Sequence, residues 1–247
     1  MSDDPVLFDL SAEGVATVTL NRASARNALN LAMAAGLHEC ARRAAAESGR
    51  LLVLRARGPV FCAGADLKER QGMTDDQVRA RRLKAFAAYD AIERLPMPVM
   101  AVVEGPAVGS GCEIAAACDF VIATPAASFR TPEALWGTVG ATQRLPRILG
   151  KRLAKDMMFT GRTLSAEEAR EAGLVCGVVA ADALEATLAE ISAAVVKAPA
   201  SALALAKRCI DEGLERDPRG ALATELMAIE ESLAAAEWRC SMAGFGA

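Results

Sequence analysis

Strand-like and helix-like segments alternate along this chain up to about residue 180, and the remainder is helical. Short apolar or alternating runs predict strands, whereas apolar positions at every third or fourth residue predict helices. The predicted strands are Val6–Leu10, Val15–Leu20, 51–54, Val99–Val103, Phe120–Ala123, 128–129 and 174–179; the predicted helices are Leu31–Ala46, 74–94, 143–149, 153–160, 165–172, Leu184–Lys197, 200–213 and 221–236. This alternation is typical of an α/β fold. We therefore expect a βα-rich core over residues 1–180 and a helical C-terminal region over residues 181–247.

Two short motifs predict where helices begin. Thr131, Pro132 and Glu133 have the order of an N-cap, a proline in the first helical position and an acid in the first turn. Ser165 and Glu168 have the spacing of a capping box. We expect one helix to start directly after each motif.

The composition argues against several classes of protein. With 53% hydrophobic and 24% charged residues, the chain has the composition of a globular protein. A net charge of −3 without a basic stripe argues against a nucleic-acid partner. The most apolar run is interrupted by Lys197 and Pro199, so no membrane span is expected. The acidic residues after Met1 differ from the basic start of a signal peptide, which favours a cytoplasmic location.

Cysteine and histidine usage limits the chemistry. The 7 cysteines are dispersed without a CxxC pair, a pattern that predicts small buried thiols and neither disulfides nor a metal site. The only histidine, His38, lies in a helical stretch, where we expect it on the surface. Catalysis is therefore expected to depend on carboxylates and on the backbone, without a metal.

A glycine-rich loop over residues 105–119 follows the strand Val99–Val103 and continues into a short apolar helix. Glycine permits close backbone approach, so the first N–H groups of that helix could bind an oxyanion or a phosphate. Glycine-rich turns of this kind more often serve packing alone. Glu113, however, lies within the apolar helix, where a glutamate is seldom buried without a partner or a task.

A second loop of small residues, 59–66, also leads into a helix. Two convergent backbone donors are what an enolate or thioester oxyanion needs. Glu113 and Glu133 are then a candidate acid and base, because two carboxylates in an apolar pocket can hold one proton between them. Taken alone, Glu133 is also explained as an acid at a helix start.

Several segments match, in the same order, the motifs of one known family. These segments are 20–22 with 27–29, 61–69, 108–113, 129–133, 142–145, and 160–169 with 171–175. On these motifs the chain resembles the enoyl-CoA hydratase/isomerase (crotonase) family over nearly its whole length. The resemblance implies a crotonase-like spiral of ββα units followed by a C-terminal helical trimerisation region, assembled as homotrimers or homohexamers.

The resemblance also assigns roles to residues. It implies that the backbone N–H groups of Ala65 and Ser110 form the oxyanion hole of an acyl-CoA site. Glu113 would be the base and Glu133 the proton donor in the addition of water to a 2-enoyl-CoA, which gives a 3-hydroxyacyl-CoA. Coenzyme A would be part of the substrate, so no separate cofactor is expected.

The same resemblance gives a set of substrate-binding residues. Ala63, Asp66 and Leu67 would line the path of coenzyme A through their main chain, and Arg26 or Lys68 would meet its phosphates. Exposed basic residues are, however, usually just solvated. Gly109 and Gly140 complete the expected substrate-binding surface.

Three departures from the family pattern leave other reactions open. Ser110 stands where the family usually has glycine, the segment 138–142 is a few residues shorter than usual, and the tail 238–245 lacks the closing basic residues. The alternatives are another crotonase-family reaction, namely isomerisation, decarboxylation or thioester hydrolysis, or a catalytically inactive acyl-CoA-binding protein.

Overall fold

The computed structural model describes residues 4–235, 238 and 239. The strands are β1 (Val6–Leu10), β2 (Val15–Leu20), β3 (Leu51–Ala56), β4 (Val99–Val103), β5 (Pro106–Val108), β6 (Phe120–Ala123), β7 (Ser128–Arg130), β8 (Thr163–Ser165) and β9 (Gly177–Val178). The helices are α1 (Leu31–Ala46), α2 (Leu67–Arg70), α3 (Asp75–Glu93), α4 (Ser110–Ala116), α5 (Arg144–Thr160), α6 (Ala166–Glu171), α7 (Leu184–Lys197), α8 (Ala200–Leu214) and α9 (Pro218–Ala235). Short 3-10 turns occupy Ala23–Ala25 and Glu133–Trp136.

Two sheets organise these elements within the described residues. The larger has the strand order β1-β2-β3-β4-β6-β9, and the smaller has the order β5-β7-β8. β1 and β2 form an antiparallel hairpin, while every later pair in the larger sheet is parallel. Parallel neighbours cannot be joined by a tight turn, so helices such as α1 and α3 provide the crossovers. The α/β class expected from the alternation is confirmed.

The central strands of the larger sheet are buried on both faces. Along β3, Leu52 and Leu54 join the core that contains α1 and α3, whereas Leu51 and Val53 join a second core that includes Leu184 of α7. Successive side chains of a strand lie on opposite faces, so a continuous apolar run fits a strand that is covered twice. The apolar sequence of β4, all five of whose residues are buried, has the same explanation.

Most of the longer predicted elements are confirmed. The bounds of β1, β2, β4, β6, α1 and α7 coincide with the prediction. Thr74 forms a capping box with Gln77 at the start of α3, and Ser165 forms the expected one with Glu168 at the start of α6. Gly150, with φ of 71° and ψ of 154°, interrupts α5 where two helices were expected.

The helix expected after Thr131 and Pro132 is wrong. Pro132 occupies the N-cap position of a 3-10 turn and is therefore not the first helical residue. The turn ends after four residues because Gly137 adopts a left-handed conformation with φ of 66°. Within the described residues the buried hydroxyl of Thr131 has no hydrogen-bond partner, so it caps nothing.

Several shorter predictions also need correction. The expected strand 174–179 is reduced to β9, and the three-residue strands β5 and β8 were not predicted. α9 begins at Pro218, three residues earlier than expected, and residue 236 lies outside the described part of the chain. The domain boundary at residue 180 stays a prediction.

The cysteines do not form one class. Cys40, Cys62, Cys112 and Cys118 are buried, Cys209 is half-buried and Cys176 is exposed, while Cys240 lies outside the described residues. The expectation of buried thiols is therefore wrong at Cys176. His38 is exposed on α1, as predicted.

The C-terminal helices α7, α8 and α9 follow one another with short breaks. Among the described residues, no single helix combines the length and hydropathy of a membrane span; only α7 and α8 taken together pass that test, across a bend of 99°. In the tail 238–245, the guanidinium of Arg239 lies 5.3 Å from the ring centroid of Trp238. The other residues of that tail lie outside the described part of the chain.

Candidate active site

The two glycine-containing loops are joined by backbone hydrogen bonds. The N–H of Cys62 donates to the carbonyl of Pro106 at 3.2 Å, and the carbonyl of Cys62 accepts from the N–H of Val108 at 2.8 Å. A Cβ atom on Gly111 would lie only 2.5 Å from the carbonyl oxygen of Cys62. Glycine at position 111 therefore lets the loop that carries Ala65 pack against the N-terminus of α4.

Ala65 and Ser110 present backbone N–H groups at this junction. Leu29 fixes the loop on both sides of Ala65, because its N–H donates to Gly64 at 2.7 Å and its carbonyl accepts from Asp66 at 2.9 Å. Ser110 is the first residue of α4, where backbone N–H groups lack helical partners. In the described part of the chain, neither the Ala65 nor the Ser110 N–H has a hydrogen-bond acceptor. Both groups therefore remain able to bind an oxyanion.

Ser110 lies near the buried Tyr89 of α3. Tyr89 is only 3% exposed, and burial raises the pKa of its hydroxyl, while the neighbouring side chain of Ser110 acts in the opposite direction.

Glu113 lies in the first turn of α4 and is 6% exposed. Its Oε2 forms an ion pair with a guanidinium nitrogen of Arg144 at 3.2 Å. Arg144 also forms two hydrogen bonds with Glu93, Nε to Oε1 at 3.1 Å and the other terminal nitrogen to Oε2 at 2.5 Å. The sequence reasoning missed Arg144 and Glu93. The sequence could have indicated such a partner through Glu113 itself, because a buried negative charge requires a positive charge beside it.

Glu133 approaches the same helix end from the 3-10 turn. A Cβ on Gly109, the N-cap residue of α4, would overlap Oε1 of Glu133, and a Cβ on Gly140 would lie 3.1 Å from its Cγ. Oε2 of Glu133 is buried and has no hydrogen-bond partner among the described residues. Burial raises the pKa of Glu133, and the charge of Glu113 raises it further, while Arg82 acts in the opposite direction.

The two carboxylates therefore share a location but not an environment. Glu113 is paired with a guanidinium, which compensates its negative charge. Glu133 is desolvated and has an unpartnered oxygen, which favours the protonated acid. Two carboxyl groups with such different surroundings can serve as base and acid in one reaction.

The segment 138–142 is held by α3. One guanidinium nitrogen of Arg82 donates to the carbonyl of Val139 at 3.0 Å, and another donates to the hydroxyl of Thr138. Ala141 is buried with φ of 55°, a conformation that L-residues seldom adopt. Arg82 thus fixes the segment whose Gly140 packs against Glu133, and no sequence pattern indicated this role of Arg82.

The expected coenzyme A residues lie around the start of α2. Asp66 is the N-cap of α2, and its side chain accepts hydrogen bonds from the N–H groups of Lys68 and Glu69 at 3.1 and 3.2 Å. It also pairs with Arg22 at 3.0 Å. Its carboxylate is thus used within the fold. Leu67 and Lys68 are exposed on the same turn.

Arg26 lies on the neighbouring loop, exposed and with a left-handed φ of 52°. Its carbonyl accepts the N–H of Ala63 at 3.0 Å. Because the N–H groups of Ala63 and Asp66 have backbone acceptors, main-chain contacts of these two residues with a substrate would use their carbonyl oxygens. No group of three or more potential metal-ligating side chains occurs within the described residues.

Comparison with known proteins establishes the family. Residues 11–246 match the family model described as enoyl-CoA hydratase/isomerase. The chain belongs to this family. YngF of Bacillus subtilis (strain 168), a protein named after the same family, is 38% identical over 98% of this chain and 95% of its own length. The enoyl-CoA isomerase/hydratase fer4 of Mycosarcoma maydis is 36% identical over 83% of this chain and 80% of its own length.

A solved structure agrees with the family assignment. The crystal structure of an enoyl-CoA hydratase from Bacillus anthracis superimposes with a TM-score of 0.89 at 36% identity, covering 93% of this chain and 91% of that one. The fold is therefore the crotonase fold with a helical C-terminal region, as the motifs implied.

Proposed function

We propose that this protein is an enoyl-CoA hydratase, which adds water across the double bond of a 2-enoyl-CoA to give a 3-hydroxyacyl-CoA. The observation that carries the proposal is the asymmetry of the two carboxylates at one helix end. Glu113 is paired with Arg144, while Glu133 is desolvated with an unpartnered oxygen. The backbone N–H groups of Ala65 and Ser110 lie at the adjoining loop junction.

The proposed chemistry follows from these environments. The thioester carbonyl oxygen accepts hydrogen bonds from Ala65 and Ser110, which stabilise the negative charge that develops on it. Glu113 takes a proton from a water molecule while the oxygen of that water bonds to C3 of the substrate. Glu133 gives its own proton to C2. The product gains one hydroxyl and one hydrogen, and a proton returns from Glu113 to Glu133 through solvent before the next turnover.

This reaction needs a base, an acid and oxyanion donors, all of which the chain provides. We therefore propose that it uses no metal and no redox cofactor, with coenzyme A as part of the substrate. Ala63, Asp66 and Leu67 would contact coenzyme A through their main chain, and Arg26 or Lys68 its phosphates. A cytoplasmic location stays a prediction. One mouse relative, which is 37% identical, is named enoyl-CoA hydratase domain-containing protein 2, mitochondrial.

The test is product analysis with the purified protein. Crotonyl-CoA and longer 2-enoyl-CoAs are expected to lose the absorbance of the conjugated thioester and to give a product heavier by one water. In the same mass spectra, isomerisation of a 3-enoyl-CoA would change no mass. Binding of acyl-CoA without consumption would indicate an inactive binding protein, and absence of turnover across chain lengths would contradict the hydratase proposal.

We propose that copies of the chain assemble as homotrimers or homohexamers. Leu222, Leu226, Ile229 and Leu233 are exposed on α9, and their spacing places them along one face of the helix. Scattered exposed apolar residues are normal, whereas a continuous stripe marks an interaction surface.

The stripe gives a direct prediction. Leu226→Asp places a charge in the proposed interface, so light scattering is expected to show a shift from the oligomer towards the mass of one chain. Ala234→Asp adds the same charge beside the stripe on the same helix and is expected to leave the mass unchanged. An oligomer that tolerates Leu226→Asp would show that this stripe is not the contact surface.

A further inference from the structure

Arg144 is held by carboxylates on two sides. Glu93 of α3 contacts two of its guanidinium nitrogens, at 3.1 and 2.5 Å, and the third nitrogen contacts Oε2 of Glu113 at 3.2 Å. The guanidinium also lies 5.9 Å from the ring centroid of Tyr89. Its side chain is 16% exposed; its contact with Glu113, whose side chain is 8% exposed, is shielded from water, whereas the side chain of Glu93 is 44% exposed. All three nitrogens of Arg144 are therefore engaged within the protein.

This engagement argues against a role in binding the substrate directly. A guanidinium that recognises a carboxylate or a phosphate on a ligand needs donors that are open to it. Those of Arg144 already face Glu93 and Glu113. What Arg144 can control is the orientation of Glu113.

The two oxygens of Glu113 are unequal for this reason. Among the described residues, the one hydrogen bond to its carboxylate comes from Arg144 and goes to Oε2, which leaves Oε1 without a donor. A carboxylate held through one oxygen by a rigid guanidinium presents its other oxygen in a fixed direction. Because a displacement of about 1 Å can cost about a hundredfold in rate, such orientation matters for a base that must meet a water molecule.

We propose that Arg144, clamped by Glu93, is a positioning residue that holds Oε2 of Glu113 so that Oε1 takes the proton from water. This inference rests on the proposed hydratase function and deepens it. It assigns the clamp to one half-reaction, the activation of water. Proton transfer at C2 belongs to Glu133, which forms no hydrogen bond or ion pair with Arg144.

Two reactions separate these halves. Hydration of crotonyl-CoA needs Glu113, Glu133 and the oxyanion donors together. Exchange of an α-hydrogen of butyryl-CoA in D2O needs the oxyanion donors and the ionised form of Glu133 as the base, but no attack by water. A residue that acts only through Glu113 changes the first reaction and spares the second, whereas general damage to the site impairs both.

Arg144→Met is expected to lower kcat for hydration about tenfold to a hundredfold, with KM for crotonyl-CoA and the exchange rate changed less than about twofold. Arg144→Lys retains the charge with fewer donors and is expected to recover part of the loss. Glu93→Gln weakens the clamp from outside and is expected to give a smaller loss of the same kind. Arg147→Met is the control, since Arg147 lies on the same helix and pairs with the exposed Glu215.

Equal losses of hydration and exchange in Arg144→Met, or wild-type hydration, would overturn the proposal. If Arg144→Met does not accumulate as folded protein, the rates of hydration and exchange are compared in Arg144→Lys and Glu93→Gln instead. A wild-type protein that catalyses exchange but not hydration would refute the hydratase function, and this role of Arg144 with it.

Discussion

Replacement of Glu133 by glutamine is expected to lower kcat for hydration by about 10²–10⁴-fold, the range typical for loss of a general acid. Glutamine keeps the size and the hydrogen-bonding shape of the side chain but cannot give a proton to C2. Its contacts with Gly109 and Gly140 would be retained, so KM for crotonyl-CoA is expected to change little. The measurement is steady-state kinetics on 2-enoyl-CoAs.

The same substitution is expected to stabilise the protein at neutral pH. Burial raises the pKa of Glu133 in the folded state, so the folded protein is favoured at low pH and loses stability as pH rises through that pKa. Glutamine does not titrate and avoids this loss. The gain in Tm over the wild type should therefore be small near pH 4 and larger near pH 8, as measured by thermal unfolding.

Glu113→Gln provides a contrast within the same prediction. Its kcat should fall by a similar factor, but its stability should decrease, because Arg144 would lose a charged partner in a largely buried position. The control for both variants is Glu167→Gln, at an exposed residue of α6 that pairs with Arg170. Wild-type kcat in either active-site variant would contradict the assignment of acid and base.

The sequence predicted the elements that carry a strong local signal. The periodicity of α1 and the uninterrupted apolar run of β4 each determine an element with its correct bounds. The capping box at Ser165 is equally local, since its two members are three residues apart. Such signals depend only on neighbours along the chain, so one sequence is enough to detect them.

The missed features depend on contacts between distant segments. β5 and β8 each have three residues, and they are strands only because both pair with β7. The helix predicted at Pro132 failed because Gly137 ends the turn before a helical repeat can form. A local motif does not report how far an element continues.

In the candidate site, too, residues with a local sequence signal were predicted, whereas partners that are distant along the chain were missed. The glycines at the start of α4 and the apolar setting of Glu113 were visible in the sequence, and the structure brings Glu133 to the same helix end. The partners were not visible, because Arg144 lies 31 residues from Glu113 and 51 residues from Glu93 along the chain. A buried carboxylate predicts that a cation is needed, but not which of the arginines provides it.

Gly111→Ala is expected to impair both stability and catalysis, although the same exchange normally stabilises a helix by about 1 kcal/mol. Gly111 lies in the first turn of α4, and an added Cβ would lie 2.5 Å from the carbonyl oxygen and 3.1 Å from the Cβ of Cys62. That carbonyl also accepts the N–H of Val108 at 2.8 Å. Backbone and not a flexible side chain would have to move, which costs about 1–3 kcal/mol of unfolding free energy.

The displaced segment is the one that leads to Ala65, so the distance between the Ala65 and Ser110 N–H groups should change. Loss of one oxyanion donor typically costs about 10²–10³ in kcat, and we expect a loss of that order. The control is Gly213→Ala in α8, where the nearest atom to an added Cβ is the Cβ of Ala221 at 3.6 Å, an ordinary contact. Urea unfolding should show Gly213→Ala unchanged or more stable and Gly111→Ala less stable. If Gly111→Ala retains wild-type kcat, the junction of the two loops does not set the oxyanion geometry.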